Sequence, residues 1–193
     1  MWLAVLTAPA PRSARLSDGE RDALARAGFR GARRDEWIAG RLAARWMLAR
    51  RLGDDARDVS VLAEPDGAPR ASGGRSPLAI SLSHDAGRVA VAAQPGRGRV
   101  AVDICARIHD RRLPAILDRL RVPHARRNPC AIWAALECAL KLRRLGVTAL
   151  LDARLRVLAA GAQALRVSGL GADIECRLAS RRGFVLAWAE EAA

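Results

Sequence analysis

With 193 residues, 51% of them hydrophobic, the chain can bury a full core and suits one compact unit or two small lobes. Its formal charge of +13 favours polyanionic partners: nucleic acid, anionic lipid, a nucleotide cofactor or an acidic protein. The four cysteines (Cys105, Cys130, Cys138, Cys176) have no C-x-x-C pairing and only three histidines beside them, which argues against a zinc site of the usual spacing. No run approaches the roughly twenty apolar residues of a membrane span. Met1 to Ala10 lacks the basic leading segment of a signal peptide, so the expectation is a cytoplasmic protein with reduced thiols.

In chain order, Trp2 to Thr7 reads as a strand, and Ser17 with Glu20 has the spacing of a capping box that opens a short helix. A longer helix is predicted from Asp35 to Leu52, capped by Asp35 and stopped by Gly53. It carries Arg41 and Arg45 four apart on one face, where a solvated basic face is the common outcome. Ala63 to Pro77 is rich in Gly, Pro and Ser and reads as loop. Leu78 to His84 and Arg88 to Ala93 alternate in hydrophobicity around Asp85–Gly87, a hairpin. Ser83 and His84 stand at its first strand's end, and such a pair is more often structural than functional.

Pro95 to Gly98 reads as a hinge. Val100 to Cys105 is an apolar run interrupted by one acid, Asp103, and so a buried strand holding a carboxylate near its end. Arg111 to Arg121 patterns as a basic amphipathic helix. Asn128 to Gly146 is the best-marked helix: Asn128 can cap it, Pro129 suits its first turn and Gly146 can stop it in the left-handed conformation. Trp133, Glu137 and Lys141 fall on one stripe of that helix. Lys141 is the chain's only lysine among 33 basic residues. An ordinary surface Glu–Lys pair is the bland reading, yet Asp103 and Glu137 from separate elements could also hold a hard divalent cation. Strands follow at Arg154–Leu158, Ala164–Val167, Ile174–Ala179 and Phe184–Ala189.

A Val-Ala-Val-Asp strand followed by Trp133-x-x-x-Glu137-x-x-x-Lys141 resembles the 4'-phosphopantetheinyl transferases of the longer, monomeric, surfactin-synthetase-activating type. Gly40-Arg41-x-x-Ala44-Arg45, Gly74-Arg75 and Ser83-His84 occur in the family's order. The resemblance implies an α+β, pseudo-twofold fold of two lobes, residues 1–98 and 99–193, each a small antiparallel sheet with packed helices. It implies magnesium-dependent transfer of 4'-phosphopantetheine from coenzyme A to a serine of an acyl or peptidyl carrier protein, with adenosine 3',5'-bisphosphate released. Asp103 and Glu137 would hold Mg2+, Glu137 would take the serine proton and Lys141 would stabilise the phosphate or leaving group. Arg41, Arg45, Arg75, Ser83 and His84 would hold the nucleotide. Exposed arginines of the 111–121 region would steer an acidic carrier protein.

Three positions depart from the family pattern: Ala101 for glycine, Cys105 for a second acid and Leu136 for a lysine near the pyrophosphate. A thiol is a poor substitute ligand for magnesium. These departures motivate the alternative of a noncatalytic homologue that binds coenzyme A or a carrier protein. A nucleic-acid-binding protein rests on charge alone, since Tyr is absent, Phe occurs twice and no recognition motif is visible.

Overall fold

The computed structural model describes residues 1–53, 59–72, 76–124, 127–152 and 154–192. The fold is α+β, and the chain divides into two compact units, Met1–Val100 with Ala192, and Ala101–Glu191.

The first unit starts with strand β1 (Trp2–Thr7), a 3-10 turn at Ser13–Arg15, helix α1 (Asp18–Ala27) and helix α2 (Gly31–Leu52). The hairpin β2 (Ser60–Ala63) and β3 (Pro69–Ser72) follows, then β4 (Leu78–Asp85) and β5 (Arg88–Pro95). Antiparallel pairing gives a three-stranded sheet in the order β1-β5-β4 and a separate β2-β3 ribbon. The register Ile80↔Ala93, Leu82↔Val91 and His84↔Val89 sets one sheet face, because side chains alternate along a strand. Ile80, Val89 and Val91 on that face pack with Ala43, Met47 and Leu48 of α2 in one core cluster.

Two sequence expectations change here. Helix α2 begins at Gly31, so Asp35 lies inside its first turns and ion-pairs with Arg34 at 3.1 Å; the N-cap, Arg30, contributes no side-chain bond. The Gly/Pro-rich stretch is not all loop, because β3 lies within it. Asp66 Oδ1 accepts from Ala68 N at 3.0 Å and Gly67 takes φ +85°, a local turn that brings β3 back onto β2.

The capping box does more than start α1. Glu20 is fully buried; its Oε2 accepts from Ser17 N at 2.9 Å and its Oε1 from Val61 N at 2.8 Å. Arg45 Nη1 lies 3.5 Å from Oε2, so one carboxylate joins α1, β2 and α2. Glu20→Ala is expected to cost about 2 kcal/mol in urea unfolding, because Val61 N–H is left buried without an acceptor. A loss no larger than a surface substitution gives would refute that role.

The second unit holds the inner part of β6 (Arg99–Ala106), a 3-10 turn at Arg107–His109, helix α3 (Leu113–Arg119), helix α4 (Pro129–Arg143) and the short α5 (Ala149–Asp152). Strands β7 (Arg156–Gly161), β8 (Ala164–Ser168), β9 (Ile174–Arg181) and β10 (Phe184–Glu191) complete it. Its five-stranded sheet runs β6-β10-β9-β8-β7. Helix α4 is core on most sides: Ile132, Ala135, Leu136, Ala139 and Leu140 are among its buried residues and pack with Val167, Cys176 and Ala187 of the sheet. Asn128 caps it as expected, its side chain accepting from Ala131 N at 3.2 Å. The helix stops two residues before Gly146, at Arg144, whose φ of 57° is left-handed; Leu145 N donates back to Leu140 O at 2.9 Å. That backbone bond closes the last turn and holds a non-glycine residue in the stop position.

Candidate acid and lysine site

Between Ile132 and Leu142, the residues of α4 that escape full burial are Trp133, Glu137 and Lys141, the stripe expected from their spacing. Strand β6 presents Asp103 to it. Alternation puts Ala101, Asp103 and Cys105 on one face of β6, and Ala101 and Cys105 belong to the core cluster that contains α4. Lys141 Nζ donates to Asp103 Oδ1 at 2.7 Å and to Val102 O at 3.2 Å. The Asp103 side chain is only 8% exposed and that of Lys141 30%, so this pair is not a solvated surface bridge.

Glu137 completes the group electrostatically. Burial is the main cause that raises its carboxyl above the usual range, and the charge of Asp103 raises it further; the Lys141 ammonium pulls the other way. Two acids and one amine, distant in sequence, thus share one partly desolvated neighbourhood. A carboxyl held above its ordinary range is a better proton acceptor near neutral pH.

Removing the amine tests the pairing. Lys141→Met leaves Asp103 buried beside Glu137 with its ion-pair partner gone, and is expected to cost roughly 2–3 kcal/mol, the figure for a buried pair discounted for the exposure of Lys141. Adding Asp103→Asn to that variant should return more than half of the loss in a double-mutant cycle by chemical denaturation. Strictly additive costs would show that the two do not interact.

The acids suit magnesium in kind. Mg2+ is commonly held by one or two carboxylates, with waters and substrate phosphates filling the remaining positions. Asp103 already destabilises the Glu137 carboxylate, a repulsion that a cation between two acids relieves. Among the described residues, no group of three or more His, Cys, Asp and Glu side chains stands ready as a complete cage.

The two departures nearest this chemistry have a structural setting. Cys105 is 2% exposed, and its neighbour is Cys130: burial pushes the Cys130 thiol up, with contributions from Asp110 and from Cys105. Leu136 is fully buried in the α4 core. A lysine at 136 would therefore start from the core side of the helix, away from the stripe that carries Glu137. Cys138 is also buried, its thiol raised by burial and then by a hydrogen bond with Cys176. All four cysteines are buried, and none forms a disulfide.

The nucleotide-binding candidates of the first unit do not behave as one set. Arg45 Nη1 donates to Arg15 O at 2.7 Å besides facing Glu20, an internal engagement that its spacing from Arg41 did not reveal. Arg41 is 9% exposed and lies over the Trp37 ring, 3.9 Å from its centroid. Ser83 and His84 are neighbours in β4 and so project to opposite faces of the sheet. Ser83 is buried on the face of Ser81; half-exposed His84 has its Nδ1 3.6 Å from Glu36 Oε2 of α2. Arg75 lies outside the described residues. Glu36 and Trp37 were not singled out from sequence, and Glu20 was read only as the acid of a capping box.

No family model matches the chain, and no curated protein matches it. No described helix is long and apolar enough to cross a membrane.

Proposed function

We propose that the chain is a 4'-phosphopantetheinyl transferase that moves the phosphopantetheine arm of coenzyme A onto a serine of an acyl or peptidyl carrier protein. The observation that carries this reading is the convergence of Asp103, Glu137 and Lys141. The motif resemblance names these three as the reacting group, and the fold brings them into one partly desolvated neighbourhood.

In this reading Asp103 and Glu137 are the residues that would hold magnesium, which when bound neutralises charge on the pyrophosphate oxygens. Glu137 accepts the proton of the carrier serine, for which its raised carboxyl suits it. The serine oxygen attacks the phosphorus that bears the pantetheine arm. The bond to the bridging pyrophosphate oxygen breaks, and adenosine 3',5'-bisphosphate leaves. Lys141, fixed by Asp103 and Val102 O, offers an ammonium to the charge that develops on phosphate or leaving group. Arg41 serves the nucleotide. The transferase reading also carries the two-lobe family fold, a monomer and a cytoplasmic setting.

A second reading, a homologue that binds coenzyme A or a carrier protein without turnover, is favoured by buried Cys105 where a further acid is common. One experiment separates them. Several apo carrier proteins are incubated with the protein, coenzyme A and magnesium, then weighed intact by mass spectrometry. A phosphopantetheine mass gain that disappears with chelator supports transfer. No gain on fatty-acid, polyketide or peptide carriers, with coenzyme A still bound in calorimetry, supports the binding homologue.

A further inference from the structure

Three arginines stack on aromatic rings along α2 and its approach: Arg33 on Phe29 at 4.5 Å, Arg41 on Trp37 at 3.9 Å and Arg50 on Trp46 at 4.9 Å. Arg33 and Arg50 are exposed, whereas Arg41 is 9% exposed. Its Nε is buried, and no described residue accepts a hydrogen bond from it. The acid nearest in electrostatic effect is Glu20, but that carboxylate already serves Ser17 N, Val61 N and Arg45. Burial outweighs the attraction of Glu20 and lowers the Arg41 pKa to about 10, which leaves the guanidinium charged at neutral pH. The unit therefore keeps a desolvated cation that no described carboxylate fully neutralises, the signature of a site built for an anion.

We propose that Trp37 is a positioning residue: its indole holds the Arg41 guanidinium by one face, so that the N–H rim meets a phosphate of the bound nucleotide. A guanidinium can lie flat on a ring and still donate from its edge, which an ammonium cannot do. Arg45, one turn further along, is committed to Glu20 and Arg15 O, so the phosphate-holding role of this stripe falls to Arg41. The identity of the ligand as a nucleotide rests on the transferase reading; the stacked anion site itself does not.

The test is calorimetric titration of the full chain, without magnesium, with adenosine 3',5'-bisphosphate and separately with inorganic pyrophosphate. Trp37→Leu should weaken binding about tenfold, the scale of a desolvated cation–π contact. Trp37→Phe keeps an aromatic face and should stay within about threefold of the parent, whereas Arg41→Lys should lose about as much as Trp37→Leu. In turnover, Trp37→Leu should raise KM for coenzyme A and leave kcat nearly unchanged, a split that general loss of folded protein does not produce. Parent binding of the bisphosphate with Trp37→Leu equally tight overturns the Trp37 role and leaves the transferase reading standing. Binding of pyrophosphate alone, lost in Trp37→Leu, keeps the Trp37 role and removes the nucleotide. Binding of neither overturns both. Should Trp37→Leu not fold, Arg41→Lys decides: affinity equal to the parent overturns the proposal.

Discussion

Glu137→Gln is expected to lower carrier modification by about 10²–10⁴-fold, the range for loss of a general base, while the protein becomes more resistant to unfolding at neutral pH. The stability half follows from the sign of the carboxyl's shift. Burial first, and Asp103 second, raise the folded-state pKa of Glu137 above its unfolded value. The folded chain therefore holds that proton more tightly than the unfolded chain does. The stabilisation this supplies is complete below the unfolded pKa and is lost as pH rises through the folded one. Glutamine is neutral throughout, so the gain of Glu137→Gln over the parent should grow with pH across that window and level off above it. Urea midpoints at closely spaced pH values measure this directly. A constant difference, or a variant that keeps its transfer rate, would remove Glu137 from the role of base.

Leu136→Lys carries the largest expected cost in stability, roughly 4 kcal/mol or more. The motif of the transferases that the sequence resembles invites this substitution, because a lysine stands there beside the acid. Leu136, however, is fully buried in the α4 core. An ammonium attached there must either stay in that core without a partner or pull its backbone out of register with the sheet. Chemical denaturation should show the loss, and phosphopantetheine transfer should fall with it. A stable variant with faster transfer would mean that a side chain at 136 can swing over to Glu137, and the orientation argued from burial would be wrong.

Position 136 also marks where sequence reading stops. Helix α4 was legible because its signals are local: a capping Asn128, Pro129 in the first turn and a four-residue stripe each act within a turn or two of their own position. That Asp103 meets the acid and lysine of α4 was legible only through resemblance, since nothing local to β6 says which helix will cover it, and the direct ion pair of Lys141 with Asp103 was not expected from sequence. What the fold does with a given arginine was not legible. Arg41 and Arg45 look equivalent in the sequence, yet Arg45 is drawn to buried Glu20 on another helix while Arg41 lies over Trp37 one turn before it, a split that begins with a partner distant in sequence from Arg45. The separation of Ser83 from His84 has a simpler reason. They are adjacent in a strand, and the pleat separates them. The stop at Arg144 instead of Gly146 followed from a backbone bond that can tolerate an unfavourable residue.

The single lysine has a practical corollary. A protease that cuts only after lysine finds one target bond in this sequence, that following Lys141, and in the folded protein that bond lies inside α4 near its C-terminal end. Cleavage requires the last turns of the helix to open, so the rate at which one band becomes two is a clock for the fraying of the segment that holds the acid and the amine. Ligands that brace this segment should slow the clock, and no label or engineered site is needed to read it.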